Sequence, residues 1–198
     1  MKQANKTVVI EYSANWPIVF ESLQKVYEKF LKGLIKDIHH VGSTAVPGLA
    51  AKPVIDIDLV IENSDLLDQV ILKLENLGYT YEGDLGIEHR WAFKRTSDKT
   101  PLDGSNNIWP KHNLYCCTRD SVSLRNHLQF RNYLRKNPEK VTEYSELKKK
   151  LALQHPFDID FYTEHKTPFI TKILKETGFD NGELEAITEQ NRKNFRVK

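Results

Sequence analysis

The segment Val54-Ile55-Asp56-Ile57-Asp58-Leu59-Val60-Ile61 constrains this chain more than any other. Its β-branched residues fit a pleated strand. The period of two sends Ile55, Ile57, Leu59 and Ile61 to one face and Val54, Asp56, Asp58 and Val60 to the other. The first face has to be buried in a core. The second carries two carboxylates side by side, although aspartate is depleted in strands and like charges on one face repel. From the residues alone, two readings account for the pair: a solvated strand face, or a site where Mg²⁺ sits between the carboxylates and bridges phosphate oxygens.

Around this strand the pattern is α/β. Residues 7–12, TVVIEY, read as a short strand or extended arm. From Asn15, an expected N-cap, the apolar positions Val19, Phe20, Leu23, Val26, Tyr27, Phe30, Leu31 and Leu34 repeat with helical spacing. Residues 36–43 form a strand ending in Gly-Ser, followed by loop chemistry up to Pro53. Ser64 is expected to cap a helix with the stripe Leu66, Leu67, Val70, Ile71, Leu74 and Leu77, stopped by Gly78. Three more strands follow in YTYEG, HRWAFKR and NLYCCT. From Ser121 the period turns helical over 124–137, 138–154 and 164–178, with a last polar helix over 181–195 striped by Leu184, Ile187 and Phe195. The division predicted is a sheet domain over 1–120 and a helical region over 121–198 packed against it as one compact unit.

Composition excludes several classes. With 198 residues the chain is long enough for one domain with a real core. Hydrophobic residues at 39% and charged ones at 28% fit neither a disordered nor a collagen-like chain. Lys and Arg number 29 against 27 Asp and Glu, and a formal charge of +2 argues against a nucleic-acid partner. Cys116 and Cys117 are adjacent, so relaxed disulfide geometry is denied them, and zinc-type spacing is absent. No apolar run approaches the roughly 20 residues that span a bilayer, and the N-terminus has no apolar leader. The expectation is a cytoplasmic protein without a membrane partner.

Further residues suit phosphate chemistry. The Gly42-Ser43 turn lets backbone approach phosphate oxygens closely, and Lys52 stands just before the aspartate strand. Tyr144 with Lys148 and Tyr162 with Lys166 are i, i+4 pairs on helix faces, as are Arg131 and Arg135. On the residues alone the better reading is rings in a core with lysine stems lying over them, and Lys148, Lys149 and Lys150 on a solvated face. His39 and His40 fit structural histidines better than ligands.

The run His40-Val-Gly-Ser-Thr-Ala-Val-Pro-Gly-Leu-Ala-Ala-Lys-Pro-Val-Ile-Asp-Ile-Asp58 resembles the signature of the GrpB family. The likeness continues through His112 to Cys116, Phe130 to Arg135, Tyr144 to Lys148 and Tyr162 to Ile170, over roughly residues 7 to 177. It implies an α+β fold similar to that of nucleotidyltransferases: a small mixed sheet with flanking helices and a C-terminal helical region. It further implies Mg²⁺ on Asp56 and Asp58. An NTP would be held by Gly42, Ser43, Lys52, Arg131, Tyr144, Lys148, Tyr162 and Lys166, and a nucleotidyl group would pass to an unknown hydroxyl-bearing acceptor. In the wider superfamily a third acid on a neighbouring strand completes the metal site. HNLYCC offers only His112 and Tyr115 there, and Asp84, Glu88 and Asp103 are off-pattern. The alternative expectation is a non-catalytic nucleotide-binding or regulatory protein that has lost the third acid.

Overall fold

In the computed structural model, which describes residues 6–193, a five-stranded mixed sheet is flanked by helices. The strands are β1 (Asp37–Val41), β2 (Ile55–Ile61), β3 (Tyr79–Tyr81), β4 (Arg90–Arg95) and β5 (His112–Thr118). Helices α1 (Asn15–Phe30) and α2 (Leu67–Asn76) belong to the first half, and α3 (Val122–Lys136), α4 (Pro138–Gln154), α5 (Ile159–Glu176) and α6 (Asn181–Lys193) form the C-terminal bundle. The sheet order is β1-β2-β5-β4-β3, with β2 and β5 parallel and the other neighbours antiparallel.

The alternation in β2 does what its sequence requires. Ile55, Ile57, Leu59 and Ile61 join Leu23, Tyr27 and Leu31 of and after α1 and Val70 and Leu74 of α2 in the main core. His112 belongs to this face as well. Its Nδ1 lies 2.9 Å from the Pro110 carbonyl and donates to it, so Nε2 accepts from the Tyr79 hydroxyl 2.5 Å away. Tyr79 in turn bonds Tyr27 at 2.6 Å. Burial pushes the imidazole down to about 4, so the chain closes with neutral groups.

The long connection from β1 to β2 is bound to the bundle as well as to the sheet. Val46 and Leu49 pack with Leu134, Val141, Tyr144 and Ile173. Ala50 N–H donates to Ser145 Oγ at 3.1 Å, and Arg135 donates to the Ala45 carbonyl through Nε and Nη2 at 3.0 and 2.6 Å. Arg131 Nη1 donates to the His40 carbonyl at 2.8 Å. This stitching sets the sheet's second face against the helices.

Several boundaries differ from the sequence reading. Of the two readings of residues 7–12, short strand or extended arm, the arm is the one that forms, joined by one bridge between Ile10 and Ala51, since β2 already has partners on both sides in β1 and β5. Asn63, not Ser64, supplies the cap, accepting from Asp65 N–H, and a 3₁₀ turn over Ser64–Leu66 precedes α2. Ala14 is at the N-cap position of α1 and Asn15 is its first residue. Helix α5 starts earlier than 164, at Ile159, where Asp158 accepts from Phe161 N–H. Phe195 lies outside the described residues.

Candidate functional site

Residues directly opposite in paired strands share a face, so the register defines the site. Asp58 lies between His39 of β1 and Tyr115 of β5, and Asp56 between Val41 and Asn113. Each carboxylate has one oxygen held by a neighbour. Asn113 Nδ2 donates to Asp56 Oδ1 at 2.7 Å, and His127 Nδ1 of α3 donates to Asp58 Oδ2 at 2.7 Å. Asp58 is fully buried and its Oδ1 has no hydrogen-bond partner. Burial raises the Asp56 carboxyl, while the Asn113 bond and the charges of His127, Lys166 and Lys52 pull it back.

Gly42 closes one side of Asp56. Its φ is +69°, and a Cβ placed there would lie 2.2 Å from Asp56 Oδ2, so no side chain fits without displacing the carboxylate. Ser43 follows at the head of a short 3₁₀ turn, half-buried.

Three lysines are coupled to Asp56 by charge. Lys148 is 1% exposed, and its Nζ has no hydrogen-bond partner. That Nζ sits 4.7 Å from the centre of the Tyr144 ring. Lys52 and Lys166 share one ring: their Nζ atoms lie 5.4 and 5.3 Å from the centre of Tyr162. Both rings are buried, so each i, i+4 pair read from the sequence exists, yet Lys148 does not run its stem out to water. Burial first, then Lys166, lowers Lys148 to about 6 against the opposing pull of Asp56. Lys166 falls to about 8 by burial and by Lys52. Among the described residues, none of the three forms an ion pair within 4.0 Å with Asp56. Lys52 also borders a cavity of about 910 Å³ between the arm, the start of β2 and the α4–α5 connection, lined by Lys6, Lys111, His155 and Phe157 among others.

Of the residues singled out in the sequence, Gly42 abuts Asp56, Asp58 is on the same strand face, the charges of Lys52 and Lys166 act on Asp56 and that of Asp56 on Lys148, and the rings of Tyr144 and Tyr162 lie under the lysines. Arg131 is held instead on the His40 carbonyl and on Asn132 Oδ1. His40 is structural: its Nε2 bonds Thr44 Oγ1 at 3.0 Å and its ring stacks on Phe20. Asp84, Glu88 and Asp103 do not join the carboxylates. Asp84 bonds Gly86 N–H, Glu88 pairs with His89, and Asp103 bonds Ser105. Among the described residues no group of three or more His, Cys, Asp and Glu is arranged to hold a metal ion. Sequence reasoning missed His127 and Asn113. For Asn113 the signal was available, since it has the same parity in its strand as Tyr115; for His127, which lies 69 residues from Asp58, only tertiary structure supplies it.

Magnesium takes hard oxygen ligands, often only one or two carboxylates completed by phosphates and water. Here two carboxylates share a face, and Asp58 Oδ1 is a buried oxygen left without a partner.

The family model described as "GrpB protein" matches residues 6–176. The chain belongs to the GrpB family. Glutamate-rich protein GrpB of Alkalihalophilus pseudofirmus is 31% identical over 172 residues, covering 86% of this chain and 95% of that protein. UPF0157 protein YqkA of Bacillus subtilis is 32% identical over 165 residues, and there the match takes 83% of this chain but spans only 45% of the relative. A crystal structure of GrpB from Enterococcus faecalis superposes with a TM-score of 0.71 and 34% identity over 92% of this chain and 98% of that one. The shared GrpB region contains both carboxylates and all three lysines of the cleft, whereas α6 lies beyond it.

Proposed function

We propose that the cleft binds a nucleoside triphosphate with Mg²⁺ and passes its nucleotidyl group to a hydroxyl-bearing acceptor. The observation that carries this reading is the gathering of Lys52, Lys148 and Lys166 beside Asp56, with Lys148 Nζ buried and unpartnered. An ammonium group in a dry site without a counter-ion is costly, and polyphosphate oxygens are the ligand that would relieve it. Gly42 offers bare backbone beside Asp56, and the cavity next to Lys52 has room for a nucleoside. Asp56 and Asp58 would hold the metal ion. When bound, Mg²⁺ supplies neutralisation of phosphate charge and lowers the pKa of an acceptor hydroxyl. The acceptor hydroxyl would pass its proton to the Asp56 carboxylate as its oxygen bonds the α-phosphorus and the bond to the bridging oxygen breaks, and pyrophosphate would leave with the lysines offsetting its charge.

A second reading, nucleotide binding without transfer, is favoured by one observation: β5 presents Asn113 and Tyr115 opposite the two aspartates, where an acid would complete the set. Tyr115 is pushed up to about 12 by burial and carries no charge at neutral pH.

Calorimetric titration of ATP, GTP, CTP and UTP with and without Mg²⁺ tests both. Metal-dependent binding that disappears in the Asp56→Asn, Asp58→Asn double variant is expected. Release of labelled α-phosphate onto an acceptor then separates transfer from binding. Failure of all four nucleotides to bind a folded sample overturns both readings.

A further inference from the structure

The cavity of about 910 Å³ beside Lys52 lies within the usual size of small-molecule sites. Val8 of the arm, Pro53, Phe157 and Ile159 make much of its lining apolar, and Phe157 is 62% exposed, so its ring is open to a flat ligand ring. Two carboxylates line the same cavity, and they differ. Asp158 is used by the helix: its Oδ1 accepts from Phe161 N–H at 2.8 Å and caps α5. Asp160, in the first turn of α5, is not needed for that cap. Its Oδ1 is buried without a hydrogen-bond partner, and among the described residues no ion pair within 4.0 Å reaches its carboxylate, although Lys52 and Lys111 line the same cavity. A buried acceptor left open is costly, and an N–H donor from a ligand offsets that cost. An ionised carboxylate only accepts, and its two oxygens are best met by two parallel N–H donors. Among the four common bases guanine alone presents such a pair, N1–H beside the 2-amino group. Adenine and cytosine set one amino group next to a ring-nitrogen lone pair, and uracil sets one N–H between two carbonyl oxygens, so each turns a lone pair against the carboxylate. We propose that this cavity selects guanine, with Asp160 accepting from N1–H and from the 2-amino group and Phe157 lying against the ring. This rests on the reading above that the cavity takes the nucleoside, and it adds which nucleoside that is.

Calorimetric titration of GTP, ATP, CTP, UTP and inosine triphosphate into the full chain with Mg²⁺ is the test. GTP is expected to bind at least about tenfold more tightly than ATP, CTP or UTP. Inosine triphosphate, which lacks the 2-amino group, should bind about fivefold to tenfold more weakly than GTP. In the Asp160→Asn variant the amide still accepts from N1–H but turns a donor toward position 2, where xanthosine triphosphate has a carbonyl oxygen. That variant should lose about tenfold or more for GTP and bind xanthosine triphosphate better than GTP, an exchange of preference that a loss of packing does not produce. Circular dichroism checks its fold, and the series on the wild-type chain is decisive without it. Preference for another base, equal binding of all, inosine triphosphate bound as well as GTP, or a folded Asp160→Asn chain that still prefers GTP would each overturn guanine selection. Where such binding still depends on Asp56 and Asp58, the nucleotide reading stands and this inference alone falls. GTP bound with the expected preference but never transferred removes the transfer reading and leaves the base site. Failure of every nucleotide to bind removes both.

Discussion

Lys148 carries a consequence for stability that needs no ligand. Its ordinary value is 10.5 and the folded chain lowers it to about 6, so between these values the unfolded chain binds more protons than the folded one. Stability therefore rises with pH through this window: the full contribution is present above about 10.5 and is lost as pH falls toward 6. Lys148→Met removes the penalty. Thermal unfolding should show the variant more stable by about 1–3 kcal/mol at neutral pH, with the gain shrinking toward pH 10. An equal gain at both pH values, or a loss at neutral pH, would contradict the buried-amine account. A natural chain that keeps such a lysine gives up stability at its cleft, as binding sites commonly do.

At the scale of elements, the turn after β1 is the most sensitive piece. Gly42 combines a positive φ with a Cβ position 2.2 Å from Asp56 Oδ2 and 2.9 Å from its Cγ. Gly42→Ala therefore strains the backbone and pushes the carboxylate away from Asn113. The expected outcome is a loss of about 1–3 kcal/mol together with loss of metal-dependent nucleotide binding. Denaturant unfolding and titration of the same sample check it. Much of this scale was legible in the chain: β2 declared its two faces, α4 fell on 138–154 as read, and Gly42-Ser43 stood out as a turn. What stayed hidden depended on partners far away in sequence. TVVIEY allowed a strand or an arm, and the choice is made by β1 and β5, which take both edges of β2 and leave the segment one bridge. His112 was weighed as a site residue, but strand parity turns it to the opposite face, onto Tyr79, and puts Asn113 beside Asp56. The pairing of His127 with Asp58 follows from how α3 crosses the sheet, which no local pattern encodes.

For the whole molecule, the arm matters more than its lack of regular structure suggests. Thr7 N–H donates to the Pro156 carbonyl at 2.6 Å, and Ile10 and Ala51 exchange backbone bonds at 2.9 and 2.8 Å. The arm thereby ties the approach to Lys52 to the connection between α4 and α5. Removing residues 1–10 deletes these bonds and should cost about 2–4 kcal/mol, at roughly 1 kcal/mol per bond. Hydrogen exchange should quicken at Ala51 and through the start of α5 while α2 is little changed; uniform quickening would mean that the arm only adds general stability.

The parallel pairing of β2 with β5 has a further effect, on the order in which the cleft is made. Asp56 reaches Asn113 across 57 residues, Asp58 reaches His127 across 69, and Ala50 reaches Ser145 across 95. Contacts of such separation form late and slow a folding chain. On the ribosome, a chain grown as far as β5 already holds both carboxylates and Lys52 but neither Lys148 nor Lys166. Until α4 and α5 emerge the half-made face has the acids without most of their counter-charge.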